Sequence, residues 1–210
     1  MDAGHSIAIN RSQLPEIEAY VRGLFVGLPA IYRFHNLDHT LAVVHASREI
    51  AMLEGLSDNE QLLVEVSAWF HDVGYLRSLA EHETMSAFRS LHYFSKMGIH
   101  LDDIEQIEQC ILVTKLGSNP QNAMQRVLCD ADMWHLTCPE FYAWSERLRK
   151  EWVAMKGLHM TDAEWIQNNL NFMSGVKFHT HYAQEIMQPR LAANILTLED
   201  MLQRIEANPL

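Results

Sequence analysis

Basic residues are scarce in this sequence of 210 residues: 16 Lys and Arg stand against 27 Asp and Glu, which gives a formal net charge of −11. A surface that neutralises a nucleic-acid backbone is rich in Lys and Arg. The shortage therefore argues against nucleic-acid binding. A small anionic substrate would have to be attracted by a metal ion and a few local cations, because the overall field repels it.

Cysteine is scarce as well, with only Cys110, Cys129 and Cys138. The number is odd, and no two of them are separated by two residues. This spacing favours neither a disulfide framework nor a cysteine zinc site. We interpret the three thiols as small buried hydrophobic groups in a reducing cytoplasm.

Long apolar runs are also lacking. A membrane span would need about 18 consecutive apolar residues, and a signal peptide would need a basic region followed by an apolar run; the sequence has neither. We therefore expect a cytoplasmic protein with no membrane partner. Its oligomeric state is not evident from the sequence.

Helical periodicity, by contrast, is abundant. Apolar residues make up 48% of the chain and recur at helical spacing between short Gly- and Pro-containing breaks, while strand patterns are nearly absent. This predicts an all-α fold in a single domain over residues 1–210. The core would cover about 32–135, and a helical extension would cover about 139–205.

Local signals indicate where the helices begin and end. The predicted helices cover residues 14–28, 36–53, 57–75, 81–97, 102–114, 122–135, 139–152, 161–173 and 180–205. Asn36 is a candidate cap, and Ser-x-x-Glu and Thr-x-x-Glu capping boxes begin at Ser57 and Thr161. Gly74 suits the end of the third helix, and Pro189 should kink or split the last one.

Four side chains with metal-binding chemistry stand out: His39, His71, Asp72 and Asp132. His71 and Asp72 follow the apolar run 66–70, and a charged Asp inside such a helix is costly unless something pairs with it. A metal ion is one such partner. A His-Asp pair alone is common by chance, but the order His, His-Asp, Asp is far more specific. Adjacent helical residues point about 100° apart, so both could reach an ion only from its side.

The motifs around these residues are spread over about half of the chain. They are residues 32–39 (Tyr-Arg-Phe-His-Asn-Leu-Asp-His), 69–75 (Trp-Phe-His-Asp-Val-Gly-Tyr), 82–87 (His-Glu-Thr-Met-Ser-Ala) and 129–132 (Cys-Asp-Ala-Asp). This pattern resembles the HD superfamily of metal-dependent phosphohydrolases. The resemblance implies an HD-domain helical bundle that holds one or two metal ions and hydrolyses a phosphate ester through a metal-activated water.

By position, His39, His71, Asp72 and Asp132 match the ligands of that family. Asp132 is preferred to Asp130, because the family's last ligand typically follows an Ala. The donor set suits Mn, Fe, Zn, Co, Ni or Mg. We expect one tightly bound divalent ion, with Asp72 also orienting the attacking water.

Other side chains are candidates for further roles. The resemblance places His82 and Glu83 near the site, where either could exchange protons with the substrate; an exposed first helical turn is the alternative. Lys115 and Arg33 could bind a phosphate group, or they could be ordinary solvated side chains.

The remaining histidines fit structural roles better. His45 should point away from His39 on the same helix. His35 would orient a neighbour or cap a helix. His179 and His181 form a short tract that we interpret as structural.

Two alternative functions stay open. A di-iron HD-type oxygenase would need more imidazole ligands; His82 could serve, but no histidine lies between His100 and His135. A non-catalytic, nucleotide-binding regulatory HD module would be expected to have lost ligands, whereas all four are present. The favoured function is therefore hydrolysis of a nucleotide or other small phosphoester by a metal-dependent phosphohydrolase.

Overall fold

A computed structural model describes residues 6–77 and 79–207, and this part of the chain is all-α, as predicted. The outer limits of the predicted domain, residues 1 and 210, lie outside it. Within the described ranges there is no strand, only an isolated parallel bridge between Ile7 and Ile99. The helices are α1 (Leu14–Phe25), α2 (Leu37–Leu53), α3 (Asp58–Phe70), α4 (His82–Lys96), α5 (Leu101–Leu112), α6 (Ala123–Asp132), α7 (Phe141–Lys156), α8 (Asp162–Gly175) and α9 (Gln188–Ala207).

Short-range caps set several of the helix starts. The side-chain oxygen of Asn36 accepts the amides of Asp38 and His39 at the start of α2. Both predicted capping boxes form, at Ser57 before α3 and at Thr161 before α8. Such caps typically stabilise a protein by about 1 kcal/mol each. Because His39 lies in the first turn of α2, the Asn36 cap also fixes the backbone position of His39.

Helix α3 lies at the centre of the bundle. Every residue from 62 to 70 is buried, so the helix has no solvent-facing side in its second half. It packs against α2, α5 and α6, and α4 packs against α5. A helix that is buried all round belongs in the middle of a core, and its C-terminal end therefore delivers His71 and Asp72 into the interior.

The role predicted for Gly74 is wrong. Helix α3 ends at Phe70, four residues earlier, and Gly74 lies in a 3₁₀ turn, Val73–Leu76. A Cβ atom on Gly74 would lie 1.9 Å from the carbonyl oxygen of His82 and 2.7 Å from the amide nitrogen of Ser86. The glycine is thus required for the close docking of α4 against this turn, which brings His82 beside Asp72.

Other predicted limits need smaller corrections. The first helix ends at Phe25, and the sixth ends at Asp132, after which a 3₁₀ turn continues through Met133–Thr137. The last helix is split as expected: a π-helical turn, Ala183–Met187, is followed by α9 with Pro189 as its second residue. Proline interrupts the regular α-helix because it has no amide hydrogen to donate and its ring clashes with the carbonyl group of the preceding turn. No helix in the described chain is long and apolar enough to cross a membrane.

Two buried carboxylates join the C-terminal helices to the rest of the bundle. Glu151 on α7 accepts the backbone amides of Phe34 and His35. Asp130 on α6 accepts the amides of His179 and Thr180. Since each carboxylate satisfies polar groups on the other side of the contact, the extension is held in a defined position.

Candidate metal centre

The four predicted donors converge at one place. His39 comes from the first turn of α2, His71 and Asp72 directly follow α3, and Asp132 ends α6. His39 Nε2 lies 3.3 Å from Asp72 Oδ2, 3.1 Å from Asp132 Oδ1 and 3.3 Å from His71 Nε2. His71 Nε2 lies 3.2 Å from Asp72 Oδ2 and 3.7 Å from Asp132 Oδ1. Donors about 2 Å from one ion have similar separations from each other.

The backbone around Asp72 explains why two adjacent residues can reach the same place. The expectation that His71 and Asp72 lie on one helix is wrong. His71 is the C-cap of α3, and Asp72 has φ −111° and ψ 2°, outside the helical region. Leaving the helix removes the 100° divergence of successive helical side chains.

The donor set fits a divalent cation. His39, His71 and Asp72 are at most 5% exposed, and these three alone could hold an ion. Asp72 Oδ2 is fully buried, and the imidazole nitrogens of His39 and His71, at 3.3 and 3.2 Å, do not form hydrogen bonds of good geometry with it. A buried carboxylate oxygen without a partner is costly, and a cation would relieve that cost. His71 Nδ1 lies 2.7 Å from the carbonyl oxygen of Ala68; donation there leaves Nε2 free to bind a metal.

The electrostatics indicate the same preference for positive charge. Burial disfavours the protonated form of His39, but the carboxylates of Asp132 and Asp72 outweigh it and raise its pKa to about 10. Burial likewise opposes ionisation of Asp72, yet His71 and His39 hold its pKa well below the ordinary value. Protons on the imidazoles therefore offset the two carboxylates, and a divalent cation could replace them.

His82 and Glu83 lie beside this cluster, on the first turn of α4. His82 Nε2 is 3.9 Å from Asp72 Oδ1 and 3.3 Å from Glu83 Oε1. Glu83 is buried, so the alternative of an exposed helical turn does not describe it. The two side chains are close enough to exchange a proton with a ligand bound at Asp72, directly or through water.

His35 is better placed than the sequence indicated. Its Nδ1 contacts the carboxylate of Glu151, and its ring stacks on Tyr75 with centroids 3.7 Å apart. On its other side, Tyr75 contacts the ring of His82 in a tilted arrangement, with centroids 4.0 Å apart. The sequence predicted that His35 orients a neighbour. The structure shows in addition that Glu151 orients His35. That carboxylate is 116 residues away in sequence, so no local motif could have revealed it.

His135 is a second residue that the sequence reasoning missed. Its ring lies 6.0 Å from the ring of His39, and its Nδ1 lies 3.0 Å from the backbone oxygen of Asp132. Burial and the positive charge on His39 lower the pKa of His135 to about 4. It is therefore a neutral side chain that packs behind the cluster.

The other candidates divide clearly by position. Lys115 lines a cavity that also contains Asp132 and His179. Arg33 is exposed and forms no ion pair with any described residue. His45 is exposed, as expected, and His181 is 77% exposed near Glu185. Asp130 bonds to the amides of residues 179 and 180 and not to the cluster.

Sequence comparisons identify no relative: neither models of protein families nor characterised proteins match the chain. Solved structures do match. A predicted HD superfamily hydrolase from an uncultured Thermotogales bacterium has a TM-score of 0.61, with 18% identity over 91% of this chain and 92% of that one. A Lactobacillus plantarum protein has a TM-score of 0.70, with 18% identity over 95% of this chain and 100% of that one. Bacillus subtilis YpgQ, solved in complex with ADP, has a TM-score of 0.64, with 18% identity over 94% of this chain and 98% of that one.

These likenesses extend over nearly the whole of each chain. At 18% identity they establish the fold and leave the activity to the chemistry of the site.

Proposed function

We propose that this chain, which has an HD-domain-like fold, is a metal-dependent phosphohydrolase that cleaves a nucleotide or other small phosphoester. The observation that carries the proposal is the convergence of His39, His71 and Asp132 around the buried Oδ2 of Asp72, which accepts no well-formed hydrogen bond. The description of one structural neighbour as a predicted HD superfamily hydrolase supports the reaction class. The ADP complex of another supports a nucleotide as the ligand.

The chemistry divides between the ion and the protein. A divalent cation bound by the four groups would supply a Lewis acid that polarises a phosphoryl oxygen and makes water more acidic. His82 Nε2 lies near two carboxylate oxygens, Asp72 Oδ1 at 3.9 Å and Glu83 Oε1 at 3.3 Å. His82 or Glu83 could accept a proton from the attacking water, directly or through a second water.

The leaving group needs a proton, and His35 is placed to donate one. The Glu151 carboxylate on its Nδ1 holds the ring in one orientation. The ring lies 6.1 Å from that of His39, beside the metal centre. We assign proton donation to Nε2 of His35, the nitrogen that Glu151 leaves available.

The proposal is tested by metal analysis of protein purified without chelator, followed by a screen of phosphoesters with several divalent ions. We expect hydrolysis that needs a divalent ion. Asp72→Ala should abolish it and lower the bound metal, because the substitution removes the oxygen shared by both imidazoles.

Asp102→Ala, at an exposed carboxylate on α5, is the matched control and should preserve both properties. Activity that survives chelation and the Asp72 substitution would exclude metal-activated water as the nucleophile. Nucleotide binding without turnover of any substrate would point instead to a regulatory module.

A further inference from the structure

A cavity of about 660 Å³ opens beside Asp132. One wall is formed by residues 113–118, at the end of α5 and in the loop that follows. The opposite wall is formed by residues of α8 and the segment after it, between 171 and 179. Small-molecule sites usually have volumes of about 300–1,000 Å³. The cavity therefore has room for much more than the phosphoryl group that would bind at the metal centre.

The charges on the cavity wall are unlike those of the rest of the chain. Lys115 and Lys177 both line it, and Asp132 is its one carboxylate among the described residues. The sequence contains only five lysines, so two of them lie on one cavity in a protein of net charge −11. Neither forms an ion pair with any residue that the structure describes. Their charges are therefore available to a ligand.

Part of the wall is apolar. The side chains that contribute are Val113, Leu116, Met133, Phe172 and Val176. Phe172 is 38% exposed, although aromatic rings normally bury most of their surface. An apolar wall beside two ammonium groups suits a ligand that has both an anionic group and a flat or apolar group.

The position of Lys177 is defined by the fold. Two residues further on, His179 donates its amide to Asp130 at 3.0 Å, and Thr180 donates its amide at 2.7 Å and its hydroxyl at 2.6 Å. Asp130 is 1% exposed and lies two residues before Asp132 on α6. The same helix thus holds one donor of the metal centre and anchors the segment that carries Lys177.

We propose that this cavity is a second anion subsite, in which Lys115 and Lys177 bind a charged group of the substrate other than the phosphoryl group at the metal centre. The preferred substrate class is a small molecule with at least two anionic groups and an apolar or planar part, such as a nucleoside diphosphate. The C-terminal extension then determines specificity through Lys177. This inference rests on the proposed function for the reaction, but the binding of a second anion can be measured without it.

The first test compares hydrolysis of ADP with that of p-nitrophenyl phosphate, which has one phosphate and an apolar group. Lys177→Gln and Lys115→Gln should each raise KM for ADP about tenfold, as expected for one charge-assisted contact. kcat for ADP and both constants for p-nitrophenyl phosphate should change less than about twofold by the same reasoning. Lys177→Arg should restore most of the loss, and Lys150→Gln, at an exposed lysine on α7, should match the wild type.

The second test needs no turnover. Calorimetric titration into the metal-loaded protein, with analogues of ADP and AMP whose reacting P–O bond is replaced by P–C, should show that Lys177→Gln weakens binding of the ADP analogue more than that of the AMP analogue, with a reduced dependence on salt. Equal losses for ADP and AMP, or for both substrates in the kinetic test, would mean that the lysines bind the reacting phosphate and would overturn the proposal. Unchanged ADP binding would overturn it too.

The two levels of inference fail in different ways. If the wild type hydrolyses no phosphoester but the lysine variants lose ADP binding, the subsite stands and the proposed function falls. If the wild type hydrolyses ADP and all the lysine variants match it, the function stands and the subsite falls.

Discussion

At the scale of single residues, Asp72 has the most demanding position in the metal centre. Its Oδ2 lies within 3.3 Å of two imidazole nitrogens, while its Oδ1 faces His82 at 3.9 Å. A carboxylate that faces two directions could bridge two ions, but a second tightly bound ion would need ligands of its own. Within the described chain, His82 is the imidazole nearest to Oδ1 by ion-pair distance. One such ligand is too few for tight binding.

We therefore predict that His82→Ala leaves about one transition-metal ion per chain. The substitution should slow turnover, because it removes an imidazole that lies between Asp72 and Glu83 and could accept a proton. Metal analysis by mass spectrometry and steady-state kinetics would measure both effects. His92→Ala, at an exposed histidine on the same helix, is the control. Two tight ions per wild-type chain, one of them lost with His82, would contradict the prediction and favour a di-iron oxygenase.

At the scale of secondary-structure elements, Glu151 connects α7 to the segment that precedes α2. It is buried and accepts the amides of Phe34 and His35 as well as contacting the His35 ring. Burial opposes its ionisation, but His35 and the two amides outweigh this and lower the pKa of Glu151 below its usual value of 4.5. The contact therefore stabilises the fold when Glu151 is charged.

We predict that Glu151→Gln lowers the free energy of unfolding at pH 7 by about 1–3 kcal/mol, as for other hydrogen bonds to a charged group. The sign of its pH dependence follows from a lowered folded pKa: the stabilisation is complete above 4.5 and is lost as the pH falls below it. Urea denaturation at pH 7, 5 and 4 should thus show a difference that shrinks with acid. Glu105→Gln, at an exposed site on α5, should change the free energy of unfolding little at any of these three pH values. A constant difference across the series would argue against a charged Glu151.

At the scale of the whole molecule, the candidate metal centre joins three helices that are distant in sequence: α2, the end of α3, and α6. An ion bound by all of them stabilises only the folded state. The gain is about 4 kcal/mol when the free ion is at 1,000 times its dissociation constant. The centre should therefore affect global stability as well as activity.

We predict that removing the ion with a chelator lowers Tm by roughly 8–16 °C, since 1 kcal/mol corresponds to about 2–4 °C for a chain of this size. Differential scanning calorimetry with and without added metal would measure the shift. Asp72→Ala protein should show no chelator effect. A wild-type Tm that is indifferent to both metal and chelator would mean that the cluster binds no ion tightly.

Much of the local structure follows from short-range patterns. The Asn36 cap and the capping boxes at Ser57 and Thr161 involve residues two or three positions apart, so the sequence shows them directly. The break at Pro189 is equally local, because it comes from the missing amide and the ring of one residue. The order of His39, His71-Asp72 and Asp132 was also sufficient to select the four donors, since it resembles the pattern of a known family.

The sequence by itself thus determined the helices, most of their ends and the four side chains that converge at the candidate metal centre. Only the tertiary structure decided how the site is built. The docking of α4 on Gly74, the contact of Glu151 with His35, and the pairing of Lys115 with Lys177 on one cavity all join segments that are not sequence neighbours. Caps and periodicity act within one or two helical turns, whereas such contacts depend on how whole helices pack against each other.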